Sequence, residues 1–178
     1  MNNGDTSPDP VAESGAYQQY LLGLLGDDDP AEAQETTAAE LKKLAEEAGS
    51  DIYRQPEPGE WSVGQVIAHL ADAEVTMSSR YRLILAQDEP VLVGYDQDLW
   101  VERLHDDQEP VAHSIELFAT LRKVNLRLWR RSSEEQRARF GIHSERGPES
   151  FDLCFRMIAG HDRLHIGQIR RALEVVRL

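Results

Sequence analysis

The stretch ESFDLCFRMIAGHDRLHIGQIRRALEVV, residues 149–176, decides the fold. It holds no proline, and its apolar residues recur at helical spacing. At about 100° per residue, Cys154, Gln168 and Ala172 fall within about 20° of His161. His165 lies about 40° round from His161 and one turn along. Arg156, Arg163, Arg170 and Arg177 fall on the opposite side. A helix charged on one side and apolar on the other hides its apolar stripe against neighbours, so His161, His165 and Gln168 face an interior.

Working outward, the chain supplies that interior with three more long helices. Asp29 caps a helix that has Pro30 in its first turn and continues to about Ala48, where Gly49 ends it. Ser62 with Gln65 forms a capping box, and a helix runs from there to about Gln87 with Val63, Val66, Ile67, Leu70, Ala73, Met77, Ile84 and Leu85 at helical spacing. Pro110 opens a helix carrying Val111, Ile115, Leu117, Phe118, Leu121, Val124, Leu128 and Trp129, ending near Arg131. Shorter helices are expected at Ala16 to Leu25, Asp98 to Leu104 and just after Arg131. Residues 49–61, 89–97 and the stretch before 149 read as loops, and there is little strand signal. Four long amphipathic helices must pack on one another, so the expected fold class is all-α, a four-helix bundle with short extra helices. The expected organisation is a disordered tail over residues 1–14 and one domain over 15–178.

The composition bounds the function. Among 178 residues, 32 acids against 19 bases give a formal net charge of −13. Such a surface repels phosphate backbones and anionic lipid heads, so neither nucleic acid nor membrane is expected as a partner. The basic positions Arg127, Arg130, Arg131, Arg137 and Arg139 read as solvated helix faces rather than a patch for an anionic cofactor. The start of the chain lacks a basic region followed by an apolar run, and no segment approaches a membrane span, so a cytoplasmic location is expected. The lone Cys154 cannot form an internal disulfide, which agrees with a reducing compartment, and it reads as a core residue.

The chemistry-bearing residues are histidines. Two imidazoles one turn apart, as at His161 and His165, can chelate one ion, and neutral imidazole suits zinc, nickel, iron(II) and copper. Taken singly, a histidine on an apolar face is more often a hydrogen-bonded core residue. A third ligand is available at His69, which shares the interior side of its helix with Val66 and Ala73. An unpaired buried imidazole costs free energy, and a shared divalent metal would satisfy all three. His105, His113 and His143 lie in loops or at a helix start and read as surface residues.

Three segments resemble the DinB/YfiT-like family of metal-dependent enzymes: Pro58-Gly59-Glu60-Trp61-Ser62 through His69-Leu70, Tyr95-Asp96-Gln97-Asp98-Leu99-Trp100, and Gly160-His161 through His165 to Gln168-Ile169. Together they span about residues 17–176. The resemblance implies a four-helix bundle with a long crossover connection and a metal held by His69, His161 and His165, with zinc or nickel as the ion. It also implies a homodimer and a small-molecule substrate. Some relatives resemble S-transferases that use a low-molecular-weight thiol as cosubstrate.

Three readings of function follow. One is a metal-dependent transferase in which a thiolate attacks an electrophile. Another is a metal-dependent hydrolase, with Asp162 beside His161 where metalloprotease helices place a general base; a helix-surface charge is the plainer reading of that residue. The third is a non-catalytic metal or small-molecule binder of a stress response. Asp72, one turn from His69, could orient a ligand imidazole or make a surface salt bridge. Gln168 could bond a metal water or substrate, or make a core hydrogen bond. Tyr81, Tyr95, Trp100 and Trp129 could line a pocket, though aromatics at helical spacing are more often core.

Overall fold

The structure is a computed structural model that describes residues 7–10, 12–106 and 109–176. Half of the expected tail, at 1–6 and 11, and Arg177 and Leu178 lie outside the described residues. Residues 7–10 run along the mouth of a cleft rather than away from the domain.

Helix α1 spans Ser14–Leu25, α2 Pro30–Glu35, α3 Thr37–Ala48, α4 Val63–Ala86, α5 Gln97–Leu104, α6 Val111–Arg131, α7 Glu134–Ala138 and α8 Phe151–Val176. The expected caps form: Asp29 accepts from the amides of Ala31 and Glu32, and Ser62 and Gln65 close a reciprocal capping box. Gly26 and Gly49, both at positive φ, end α1 and α3, Gly49 as the sequence predicts.

The helix expected from Pro30 to Ala48 is broken at Thr36, between α2 and α3. Buried partners account for the break. The Gln34 side chain donates to the carbonyl of Phe155 (3.0 Å), and Thr37 Oγ1 donates to Asp162 (2.9 Å). Two separate helices meet both contacts on α8.

The bundle forms from α2–α3, α4, α6 and α8. Helix α4 packs on α6 and α8, α3 packs on the same two, and α1 lies along α8. The connection between α4 and α6 is long and contains a strand and α5, in keeping with the expected crossover.

The weak strand expectation needs correcting. Strands β1 (Val91–Leu92), β2 (Phe140–His143) and β3 (Gly147–Ser150) form a small sheet in that order, β1 parallel and β3 antiparallel to β2. These strands are too short, and too rich in Gly and Pro, to show an alternating pattern. The sheet caps one end of the bundle and displaces Glu149 from the helix. Ser150 instead opens α8 by accepting from the amide of Leu153 (3.0 Å).

The core divides into two apolar clusters. One gathers Leu41, Leu44, Val66, Ile67, Leu70, Phe118, Ile166 and Ile169. The other gathers Met77, Tyr81, Ile84, Leu126, Trp129, Phe151 and Phe155. In the second, Trp129 and Phe155 stack with ring centroids 4.2 Å apart. Between the clusters, at one level of the bundle, lie His69 and Glu74 of α4, Arg122 and Asn125 of α6, and His161, Asp162 and His165 of α8, all buried.

Close packing of α1 on α8 lies directly beside that polar layer. A Cβ at Gly160 would lie 1.9 Å from the carbonyl oxygen of Leu21, so no side chain fits there. Gly167, two turns on, has no neighbour within 4 Å of a built Cβ. Gly160→Ala should therefore destabilise the protein by roughly 1–3 kcal/mol through overpacking. Gly167→Ala should be neutral or stabilising by up to ~1 kcal/mol, because alanine is the better helix former. Thermal melts of the two variants check this; equal melting temperatures would refute the close approach.

Candidate metal centre

His69 stands one turn and a half into α4, and the Ser62 capping box fixes where that helix begins. His161 and His165 stand on α8 immediately after Gly160. The three rings converge through their Nε2 atoms. His69 Nε2 is 3.2 Å from His161 Nε2, and His165 Nε2 is 3.1 Å from the same atom. Nitrogens that share one ion at bond lengths of about 2.0–2.1 Å lie about 3.0–3.4 Å apart. Both distances fall in that range, and one ligand nitrogen from each of the three rings lies within 4.8 Å of the others.

Hydrogen bonding dictates which nitrogen is bare. Gln168 Oε1 lies 2.7 Å from His165 Nδ1, and an amide oxygen can only accept. The proton of His165 is therefore on Nδ1, and its Nε2 offers a lone pair to the common centre. Gln168 thus acts on a histidine and leaves the open side of the site to others. His161 Nε2 faces two imidazole nitrogens and could donate to only one of them, so the cluster is incomplete as a set of hydrogen bonds. A cation at the centre would complete it.

Burial lowers the pKa of His69 well below its ordinary value, and His165 and His105 add to the shift. His161 is lowered in the same way, by burial first and then by His165, His69 and Arg122. Both rings thus stay neutral, the form that ligates metals. The Nδ1 atoms of His69 and His161 are buried without a hydrogen-bond partner. Trp61 covers one side, its ring 5.0 Å from His69 and 6.5 Å from His165.

Asp162 takes neither of its expected roles. It is buried at 2% exposure, so it is no surface charge. Arg122 pairs with both its oxygens, and Thr37 donates to it as well. Arg122 also donates to Glu74 (2.8 Å), which accepts in turn from Asn125 (2.8 Å). Burial alone would lower the Arg122 pKa, but Asp162 and Glu74 outweigh it and the guanidinium is held charged. The expectation for Asp72 also changes. Its carboxylate meets His105 Nε2 at 2.7 Å, while His69 Nδ1 has no partner, so Asp72 does not orient a ligand ring. His105 is correspondingly no free surface residue.

The cluster opens on a cleft with two lobes. The larger, about 530 Å³, includes His161, Ala73, Met77, Arg80, Tyr95 and His143 in its walls. The smaller, about 380 Å³, includes Trp61, Leu164, His165 and Gln168. Asp9, Pro10, Tyr17, Gln97 and Asp98 border both. Of the four aromatics considered from sequence, Tyr95 lines the cavity, Trp100 packs on Tyr95 (4.5 Å), and Tyr81 and Trp129 are core. Burial, then Asp72, pushes the Tyr95 phenol up to about 12. Cys154 is buried as expected, and burial raises its thiol pKa.

A family model described as DinB superfamily matches residues 31–169. The chain belongs to the DinB superfamily. Two proteins of Oceanobacillus iheyensis that carry the name "putative metal-dependent hydrolase" are similar to it. One is 29% identical over 134 residues, 75% of each chain. The other is 33% identical over 111 residues, 62% of this chain and 64% of the relative. The solved structure of YfiT from Bacillus subtilis, described as a probable metal-dependent hydrolase with an unusual four-helix bundle topology, superposes with a TM-score of 0.72. That match has 21% identity and covers 96% of this chain and 93% of YfiT. It establishes the fold.

Among the described residues no helix is long and apolar enough to cross a membrane. His113 is exposed and paired with Glu109 (2.6 Å), as a surface histidine should be. His143 is the opposite: it is buried at 2% exposure on β2. Arg80 Nη2 and the amide of Glu145 face its two ring nitrogens. Burial, then Arg146 and Arg80, lowers its pKa from 6.5 to about 4. In the unfolded chain His143 takes up a proton near 6.5; in the folded chain it does not until about 4. As pH falls through that window the unfolded state binds the extra proton, so stability is lost. His143→Gln removes this contribution, and its melting temperature should fall less steeply with acidification than that of the wild type. Parallel slopes would refute the assignment.

Proposed function

We propose that this DinB-superfamily protein is a metal-dependent enzyme in which His69, His161 and His165 hold one divalent ion at the wall of a substrate cavity. The convergence of three Nε2 atoms, two of its contacts at 3.1 and 3.2 Å, carries this reading. Zinc and nickel suit a neutral three-imidazole donor set. When bound, such an ion lowers the pKa of a thiol or water so that the nucleophilic anion exists near neutral pH.

The chain's own residues supply the rest. Gln168 keeps the His165 proton on Nδ1 and its lone pair inward. Trp61 shields His69 and His165 on one side, leaving the cavity as the approach to His161. Asp162 is held by Arg122 and Thr37, which takes the carboxylate nearest the cluster in sequence out of use as a general base. A thiol nucleophile needs no such base once it is ionised, so we favour transfer of a low-molecular-weight thiol to an electrophilic small molecule. Hydrolysis is the second reading, favoured by the names of the relatives.

Two measurements test this. Metal analysis of purified protein should find about one ion per chain, retained in His113→Ala and lost in His161→Ala. Gln168→Leu should weaken metal affinity by roughly 10–100-fold, because an imidazole that loses its outer hydrogen bond ligates less well. Unchanged stoichiometry in His161→Ala would remove the proposed centre. Zinc-loaded protein with a panel of thiols should then consume an aryl halide, an epoxide or a maleyl-type acceptor faster than His69→Ala does. Ester or amide cleavage without thiol would select the hydrolase instead. Bound metal with neither activity would make the protein a binder.

A further inference from the structure

The far end of the larger cavity holds a buried cation, Arg80, with no carboxylate in direct contact among the described residues; Arg146 and Glu149, which pair with each other, act on it from a distance. Arg80 is 7% exposed and lines the cavity with His161. Among the described residues it makes no ion pair. Its Nη2 donates to the carbonyl of Val93 (2.7 Å) and faces His143 Nε2 (3.1 Å), and Nη1 reaches only the sulfur of Met77 (3.8 Å). Among the described residues its buried Nε has no hydrogen-bond partner. Arg146, beside it, is already taken by Glu149 through contacts of 2.5 and 3.2 Å. A guanidinium left in low dielectric with unspent donors is costly, unlike Arg122, which sits between two carboxylates.

The position of Arg80 is as informative as its state. On α4 it lies three turns beyond His69, about 16 Å along the helix axis. Cys154, at the same end of the cavity, lies about 10 Å before His161 on α8. The cavity therefore runs from the histidine cluster to the arginine. Of the carboxylates on the larger lobe, Asp9 and Asp98 lie on the border shared with the smaller lobe, and Asp96, Glu145 and Glu149 lie on the larger alone, Glu149 being paired with Arg146.

We infer that Arg80 is a specificity-determining residue that receives the terminal oxyanion of an elongated substrate whose reacting group sits at His161. The oxyanion, of carboxylate type, would meet the unspent Nη1 donor in a charge-assisted hydrogen bond. Arg80 lies too far from the cluster to touch the reacting atoms, so its role is selection. The inference rests on the proposed metal centre only in placing the reacting group at His161.

Calorimetric titration of zinc-loaded protein with suberic acid monohydroxamate and with its methyl ester tests this. The two differ at one terminus alone, a charged carboxylate against a neutral methyl ester, and zinc content is measured on the same sample. The acid should bind roughly tenfold or more tightly than the ester, the scale of a hydrogen bond to a charged group. In Arg80→Met the preference should vanish with zinc content unchanged. Equal binding of acid and ester by the wild type, or an undiminished preference in folded Arg80→Met, would overturn the inference. Should Arg80→Met fail to fold, Arg80→Gln serves: it keeps a polar amide and loses the charge, and full retention of the preference would count equally against the inference. Chelator-treated protein titrated with suberate separates the two readings. Arg80-dependent suberate binding with no zinc uptake would sink the metal centre and leave the anion site. Full zinc uptake with no acid preference would do the reverse.

Discussion

The fold depends on satisfying a layer of polar groups in the middle of a helical bundle. Above and below that layer the helices meet through aliphatic and aromatic side chains, which specify burial but little else. Within it, Arg122 must find Asp162 and Glu74, because any one of the three left alone would be an uncompensated buried charge. One residue comes from α4, one from α6 and one from α8. The requirement therefore fixes the relative height and rotation of three helices at once. The imidazoles share the level because their helices do: His161 directly precedes Asp162, and His69 lies little more than a turn before Glu74.

The interruption at Thr36 and the contact of Gly160 with Leu21 belong to the same constraint. A continuous helix from Pro30 to Ala48 would have to deliver Gln34 to the Phe155 carbonyl and Thr37 to Asp162 from one straight rod. Breaking it lets each half lie against α8 separately. On the other flank, backbone-to-backbone contact at Gly160 leaves α1 no freedom to lift away from the helix that carries two of the three histidines. Both features place side chains that the apolar stripes alone would leave free to slide by a turn.

The sequence reveals the bundle because helical periodicity is carried by many residues, and caps such as Ser62 with Gln65 or Asp29 with Pro30 act locally. It reveals His69, His161 and His165 because each falls on an apolar stripe. The same logic extends to residues that drew no functional reading: Arg122 lies between Phe118 and Leu126, Glu74 between Leu70 and Met77, and Arg80 between Met77 and Ile84. A charge inside a core stripe signals a buried partner, but not which partner, since Asp162 is distant in the chain. His143 could not be placed, because the sheet that buries it consists of strands of two to four residues paired across distant segments. Asp72 lies one turn from His69 and close to the same side of the helix, yet the chain delivers His105 to it from the crossover, a tertiary fact that spacing does not contain.

Charge is distributed unevenly between surface and interior. A chain of net charge −13 lowers the local concentration of anions around it, so general electrostatic attraction cannot recruit an anionic ligand. Selection for such a ligand must then come from desolvated contacts at short range, where a buried arginine outside any direct ion pair interacts far more strongly than it does in water. The carboxylates of Asp9 and Asp98 border both lobes of the cleft, and Arg80 lies at the remote end of the larger. On the proposed reading a molecule with one anionic terminus is oriented before any chemistry begins, that end at Arg80 and its uncharged end beside the histidines. On the proposed reading, the part of the substrate that reacts is the part that carries no charge, and the buried arginine decides which molecules present it.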